Sequence, residues 1–405
     1  PYTTLFRSRH TNASQGVWEL PLTGYPLFNV GRLGSASDLT ASLAPYFLDW
    51  LAHPSYDDYW KRWSIEDHYA SITVPVLSVA AWYDIFQGGS LRNYIGLKTR
   101  GGSEAARKGQ RLLVTIGGHA GSGRKIGDVD FGPAAAQFEE SDVTLHWYEY
   151  LLKGTQNEFA TEKPVKIFVM GANEWRQEDD WPLARARETK YFLHSGGSAN
   201  SLRGDGTLST ASPASEPGDH YVYDPGNPVA TKGGPLCCDA QHLEPGPRDQ
   251  RPVEARDDVL VYSTAPLERD MEVTGPVTLE LYAKSTAVDT DFTAKLVDVG
   301  PDGFAQNLTE GIVRARYRES QETPSWINPG QTYRFTVDLG STSNVFKKGH
   351  TLRLEVSSSN FPRFARNLNT GADPAAGKAY VSATNSILHD AEHPSALVLP
   401  VVPVR

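Results

Sequence analysis

The chain has 405 residues, 39% hydrophobic and 21% charged, which is enough for two or three domains with cores of their own. No apolar run approaches the ~20 residues of a membrane-spanning helix, which argues against a membrane protein. The net charge is -9 and the basic residues are scattered singly, so no basic stripe is offered to nucleic-acid phosphates.

The opening PYTTLFRS, residues 1–8, reads as the in-frame translation of a sequencing-library adapter and is set aside as a scar. Over 9–68, apolar residues recur at roughly helical intervals: Leu43, Phe47, Leu48 and Leu51, then Tyr56, Tyr59, Trp60 and Trp63. The spacing predicts short helices lying over something larger, the trailing end of a helical insert.

From 69 to 182 the pattern alternates. VPVLSVAAWYDIFQGGS (74–90) and QRLLVTIGGHAGSG (110–123) each begin as a continuous apolar run, the pattern of a strand buried on both faces of a parallel sheet. Gly89–Thr99 is the expected crossover helix between them. A second helix is predicted in FEESDVTLHWYEYLLKG, with Val143, Trp147, Leu151 and Leu145, Tyr148, Leu152 forming its apolar face and Gly154 in the stop position. VKIFVMG (165–171) supplies a further buried strand, so a parallel sheet with helices on its faces is expected.

The first two strands end on Asp84 and His119. Chemistry in open α/β sheets collects beyond the carboxyl ends of the strands, and Asp followed by His is the second half of the order Ser, Asp, His used in α/β-hydrolases. No Gly-x-Ser-x-Gly elbow exists in the sequence. Ser90, Ser103 and Ser198 have glycine two positions before but none two positions after.

After residue 183 helical periodicity stops. Nine strand-like runs follow: TKYFLH, HYVY, VLVYST, VTLELYA, DFTAKLVDV, IVRARYR, YRFTVDL, TLRLEVSSS and ALVLPVV. They suit a jelly-roll sandwich, with Gly196–Pro252 an irregular excursion over a face or edge. The two cysteines, Cys237 and Cys238, are adjacent, where a bond would be strained, and are expected as reduced thiols.

Taken segment by segment, residues 53–405 resemble the C-terminal two-thirds of the CocE/NonD hydrolases, relatives of the Xaa-Pro dipeptidyl-peptidases. The resemblance is carried by HPSYDDYW (53–60), AAWYDIFQGG (80–89), HWYEYLLKG (146–154), VMGANEWR (169–176), DDVLVYSTAPLERDMEVTGPVTLELYA (257–283), DTDFTAKLVDVGPDGFAQNLTEGIVRARYR (289–318), FKKGHTLRLEVSSSNFPRFARNLNTG (346–371) and the closing HPSALVLPVVP. It implies the fold class α/β plus all-β: the C-terminal half of an α/β-hydrolase core (69–182), the remnant of a helical cap (9–68) and a jelly roll (183–405). By the same resemblance Asp84 is the triad aspartate. His119 is the triad histidine, although the usual GPWxHG reads GGHAGSG here. The serine elbow and oxyanion tyrosine of that family precede the cap, so they are expected to be missing and the chain inactive alone.

The implied reaction is hydrolysis of a small-molecule ester or amide through an acyl-enzyme, with no cofactor and no metal. Asp57 and Asp58 are weaker candidates for a substrate-amine subsite, against the plainer reading of one helix cap and one solvated side chain. Trp82 and Tyr83 are weak substrate-binding candidates. His53, His68 and His146 read as hydrogen-bonded packing residues, and no pair has zinc-ligand spacing. Arg363 and Arg366 are expected to lock the sandwich against the core. The competing class is a sandwich that binds carbohydrate or peptide without catalysis, which would require solvent-facing aromatics on it. A two-chain enzyme whose partner brings the serine is the third possibility.

Overall fold

The computed structural model describes residues 45–119, 121–237, 243–373 and 375–403. Expectations for the adapter-like stretch, for Leu43 and for Cys238 lie outside the described residues.

Two short helices come first, α1 (Pro45–Ala52) and α2 (Asp58–Lys61). Phe47 and Leu51 of α1 are buried with Phe361 and Ala375. The segment around α2 rests on the 317–322 loop, with Tyr56 N donating to Gln321 O at 2.8 Å and the Tyr317 hydroxyl donating to Pro54 O at 3.0 Å. Both helices therefore lie on the C-terminal half.

The α/β body is built from β1 (Leu77–Tyr83), α3 (Gln87–Arg100), α4 (Glu104–Lys108), β2 (Arg111–Gly118), a two-residue β3 (Gly121–Ser122), the hairpin β4 (Lys125–Ile126) and β5 (Val129–Asp130), α5 (Glu140–Tyr148), β6 (Val165–Val169) and β7 (Glu174–Glu178). β1, β2 and β6 are parallel, in register Leu77↔Arg111 and Leu112↔Val165, while β7 turns back antiparallel on β6. The crossover helix α3 buries Leu91, Tyr94 and Leu97, three residues apart along one face, and Lys98 and Arg100 in its last turn favour its dipole. Ser103 caps α4, its hydroxyl accepting from Ala106 N at 2.9 Å.

Helix α5 departs from the expected packing. It continues as a single π turn over 149–153 and stops at Gly154, φ 71°, but of its two apolar stripes Trp147 is buried while Leu145, Tyr148 and Leu152 are exposed. Helical periodicity identifies apolar faces without saying how many of them find a neighbour.

The sandwich contains β8 (Arg187–His194), β9 (Thr207–Ser209), β10 (Asp219–Tyr223), β11 (Leu260–Ser263), β12 (Met271–Ser285), β13 (Asp291–Val299), β14 (Ala305–Arg314), β15 (Tyr333–Phe346), β16 (Thr351–Ser357), β17 (Ala383–Leu388) and β18 (Ala396–Val402). They run in the order β10-β17-β12-β18-β8-β9-β11-β16-β13-β14, with β15 also on β12. β9 and β17 had no counterpart among the predicted strands. The strand predicted over IVRARYR begins earlier, at Ala305, and residues 315–317 form a 3-10 turn instead. Cys237 is disulfide-bonded, against the expectation of reduced thiols.

For Arg363 the expected lock between the halves is corrected, since it pairs with Glu310 within the sandwich; Arg366 donates to Pro225 O at 2.9 Å. The junction is made elsewhere. Met170 N donates to Ser343 O at 3.0 Å and Val345 N to Met170 O at 2.8 Å, so the end of β6 joins β15 by backbone bonds. Gly171 follows at φ 77°, where a Cβ would sit 2.2 Å from Val345 O. Beside it Arg176 reaches Glu272 with both terminal nitrogens, at 2.8 and 2.5 Å, and Glu178 is gripped by Arg185. Arg176→Ala leaves Glu272 without its guanidinium at a half-buried junction. It is expected to cost about 3 kcal/mol in urea unfolding, and a cost near zero would show that the pair does not join the halves.

Candidate active site

Because β1 and β2 are adjacent and parallel, the residues that follow them emerge at one edge of the sheet. Asp84 begins the turn after β1. Its N–H donates to Ala81 O at 3.0 Å, and its carboxylate accepts from Phe86 N at 2.9 Å. His119 begins the turn after β2, where β3 folds back with Gly117 opposite Ser122. A Cβ at Gly117 would lie 2.5 Å from Gly121 O, so the doubled-back loop that presents His119 requires glycine there.

His119 Nδ1 stands 3.3 Å from Asp84 Oδ1, with the carboxylate 19% and the imidazole 38% exposed. The Phe86 ring meets the imidazole edge-on, centroids 5.1 Å apart. Among the described residues no group hydrogen-bonds to Nε2. The carboxylate thus faces the nitrogen that would carry the proton and leaves the other free to accept one, which is the polarity a general base needs.

The weaker candidates do not join this pair. Asp57 caps α2, accepting from Tyr59 N at 3.0 Å, and sits 2.6 Å from His53 Nδ1; Asp58 is exposed in the first turn. Trp82 is buried and donates to Phe168 O at 2.7 Å, while Tyr83 is buried and donates to Asn307 O at 2.8 Å. Neither offers a surface to a substrate. His68 and His146 are bonded to Ser64 O and Glu158.

A second Ser, His and Asp meet inside the sandwich. Ser195 Oγ is 2.8 Å from Asp219 Oδ1 and 3.1 Å from His389 Nε2, and that nitrogen is 2.9 Å from Asp219 Oδ2. The serine hydroxyl is held by both Asp219 oxygens, at 2.8 and 2.9 Å, so its proton is committed to that carboxylate and not to the ring, whose Nδ1 lies 3.3 Å from Glu216 Oε2. The arrangement is a buried polar tie among the ends of β8, β10 and β17. A cavity of about 280 Å³, lined by Leu77, Arg111, Leu113, Phe138 and Pro164, opens at the starts of the strands, away from the Asp84–His119 edge.

Sequence reasoning missed Phe86 and Gln87, the residues that bracket the far side of the Asp84 turn. Gln87 reads as an ordinary first helical residue. Its role depends on strands more than 200 positions later, which no local pattern signals.

A parallel sheet with an Asp–His pair beyond neighbouring strands, fused to a β-sandwich, defines half of an α/β-hydrolase joined to a jelly roll. Residues 157–398 match the X-Pro dipeptidyl-peptidase C-terminal non-catalytic domain, and 32–121 the X-Pro dipeptidyl-peptidase (S15) family. The chain is 42% identical over 369 residues to cocaine esterase from Rhodococcus sp. (strain MB1 Bresler), covering 90% of this chain and 63% of that protein. Among solved structures it resembles an aminopeptidase from a marine sediment Thaumarchaeota archaeon (TM-score 0.81, 26% identity, 91% of this chain and 62% of that one). An α-amino acid ester hydrolase gives TM-score 0.79 at 27% identity, covering 90% and 62%. A CocE/NonD hydrolase from Staphylococcus aureus shares the fold at TM-score 0.61 and 17% identity, covering 88% and 59%. The chain belongs to the CocE/NonD hydrolase family. It spans less than two thirds of the length of these relatives.

Proposed function

We propose that this chain carries the base and its orienting carboxylate for a serine acyl hydrolase that cleaves small-molecule esters or amides, with the nucleophile supplied from outside these 405 residues. The observation that carries the reading is the 3.3 Å approach of Asp84 Oδ1 to His119 Nδ1 at the ends of adjacent parallel strands. A serine hydroxyl is a poor nucleophile until an imidazole takes its proton. Asp84 would hold the Nδ1–H tautomer and stabilise the imidazolium. His119 Nε2 would accept the serine proton during attack and return it to the leaving group. The acyl-enzyme route needs no cofactor.

Such a chain alone is expected to be inert toward p-nitrophenyl acetate. An enzyme-like rate from the purified chain, abolished by a serine-directed phosphonate, would overturn the assignment, because a working serine would then lie within it. The carbohydrate-binding alternative gains no support from the sandwich surface. Its exposed aromatics among the described residues, Trp326 and Tyr380, stand on different loops, and the Trp326 ring nitrogen is already bonded to Gly371 O.

A further inference from the structure

The turn that carries Asp84 is tied to the sandwich on both sides. On the strand side, the wholly buried Tyr83 donates to Asn307 O of β14 at 2.8 Å, and burial pushes its hydroxyl pKa far up, so it stays a neutral donor. On the helix side, the Gln87 amide nitrogen donates to Trp82 O at 3.1 Å and to Ser341 O of β15 at 2.8 Å, while its oxygen lies 3.4 Å from Ser341 N. Gln87 is 7% exposed. A single side chain thus closes the turn back onto the end of β1 and fastens it to the other half of the molecule.

The sandwich is shaped for this contact. In the ladder between β12 and β15, Pro276 faces Ser341 and Thr278 faces Asp338, so Leu339 and Gly340 together oppose one residue. Bulges of this kind re-aim backbone groups. Gly340 adopts φ 82°, where a Cβ would stand 3.4 Å from the Gln87 oxygen. The bulge delivers the peptide groups of Ser341 to Gln87.

We infer that Gln87 is a positioning residue: it transmits the sandwich's rigidity to Asp84 and thereby keeps the carboxylate on His119 Nδ1. This rests on the proposed Asp84–His119 relay. Gln87 touches neither side chain of the pair. It acts through residues 84–87, where Gln87 N donates to Asp84 O at 3.2 Å and Phe86 N holds the carboxylate.

The test uses the full chain labelled with ¹⁵N-histidine, the His119 ring signals being assigned by their loss in His119→Asn. Two-bond ¹H–¹⁵N spectra report which ring nitrogen bears the proton. In the wild type Nδ1–H should dominate. Gln87→Met keeps length and packing but removes the hydrogen bonds, and it should lower the ratio of Nδ1–H to Nε2–H about five-fold, the change that one lost hydrogen bond produces. Gly340→Ala, which disturbs the bulge with Gln87 intact, should do the same. Gln110→Met is the control: it removes the buried amide bond to Ala106 O at the start of β2, so it should cost stability yet leave the ratio unchanged. A folded Gln87→Met or Gly340→Ala protein with the wild-type ratio overturns the inference alone. A wild type without an Nδ1–H preference overturns the relay, and the inference with it.

Discussion

Joined in one reading frame to the portion of a CocE/NonD relative that it does not span, this chain is expected to hydrolyse p-nitrophenyl acetate, and Asp84→Asn should lower kcat of that fusion by about four orders of magnitude. The size follows from the tautomer. A carboxylate accepts from Nδ1–H and leaves Nε2 as the base. An asparagine can turn its amide N–H toward Nδ1, which moves the ring proton to Nε2 and removes the base while the geometry stays intact. His119→Ala should cost a comparable amount with KM little changed, since the loss falls on the chemical step. Combining the two changes should add little to the histidine change alone, as expected of residues that work as one unit. An Asp84→Asn fusion that retained most of its kcat would leave the aspartate as a turn residue only.

Lys295→Met is expected to destabilise the sandwich by about 3–5 kcal/mol, while Glu355→Gln should be far milder at neutral pH. Lys295 is 4% exposed on β13, donates to Gln250 Oε1 at 2.9 Å, and lies 3.7 Å from Glu355 Oε2. Glu254 and Glu310, also buried, complete the nest, bonded to Arg353 at 2.8 Å and to Arg363. Burial pushes the Glu355 carboxyl up to about 8, and the Lys295 charge offsets only part of that rise. A neutral carboxyl loses little on becoming an amide, whereas removing the ammonium strands the buried Gln250 Oε1 and takes one of three cations from a nest that also holds Glu254 and Glu310. The sign of the pH effect follows. The folded carboxyl keeps its proton to about 8 and the unfolded one releases it near 4.5, so the folded state binds more protons between those values. Its contribution to stability is fully present below about 4.5 and is lost as pH rises through 8. Urea unfolding below, within and above that window should show the decline in the wild type and a flatter curve in Glu355→Gln. Equal slopes in the two proteins would mean that Glu355 is ionised throughout.

The strands that carry the candidate relay were legible because their chemistry is local. Leu77–Tyr83 and Arg111–Gly118 are buried on both faces, so their apolar runs are broken only by the small polar Ser78 and Thr115 and lead to Asp84 and His119. Strand β17 was hidden for the opposite reason. Its Asn385 and Ser386 are buried polar residues, Asn385 donating to the Ser358 hydroxyl at 2.7 Å, so alternation of apolar and polar residues fails. β14 was displaced in the reading because Asn307, Thr309 and Glu310 are buried within it. Long-range ties were invisible. Arg363 was assigned a joining role on residue type, while Met170, Arg176 and Glu272, which do join the halves, carry no local mark.

The position of β18 has a bearing on how the protein is made. Although the last of the described strands, it lies between β12 and β8 in the sheet order, pairing with both. A nascent polypeptide emerging from the ribosome therefore has an open seam in the middle of this sheet until residues 396–402 are released, with Leu279 and Leu193 exposed along it. Closure must wait for contacts formed across more than a hundred residues, which makes this a slow step and leaves the half-made product dependent on protection from its neighbours.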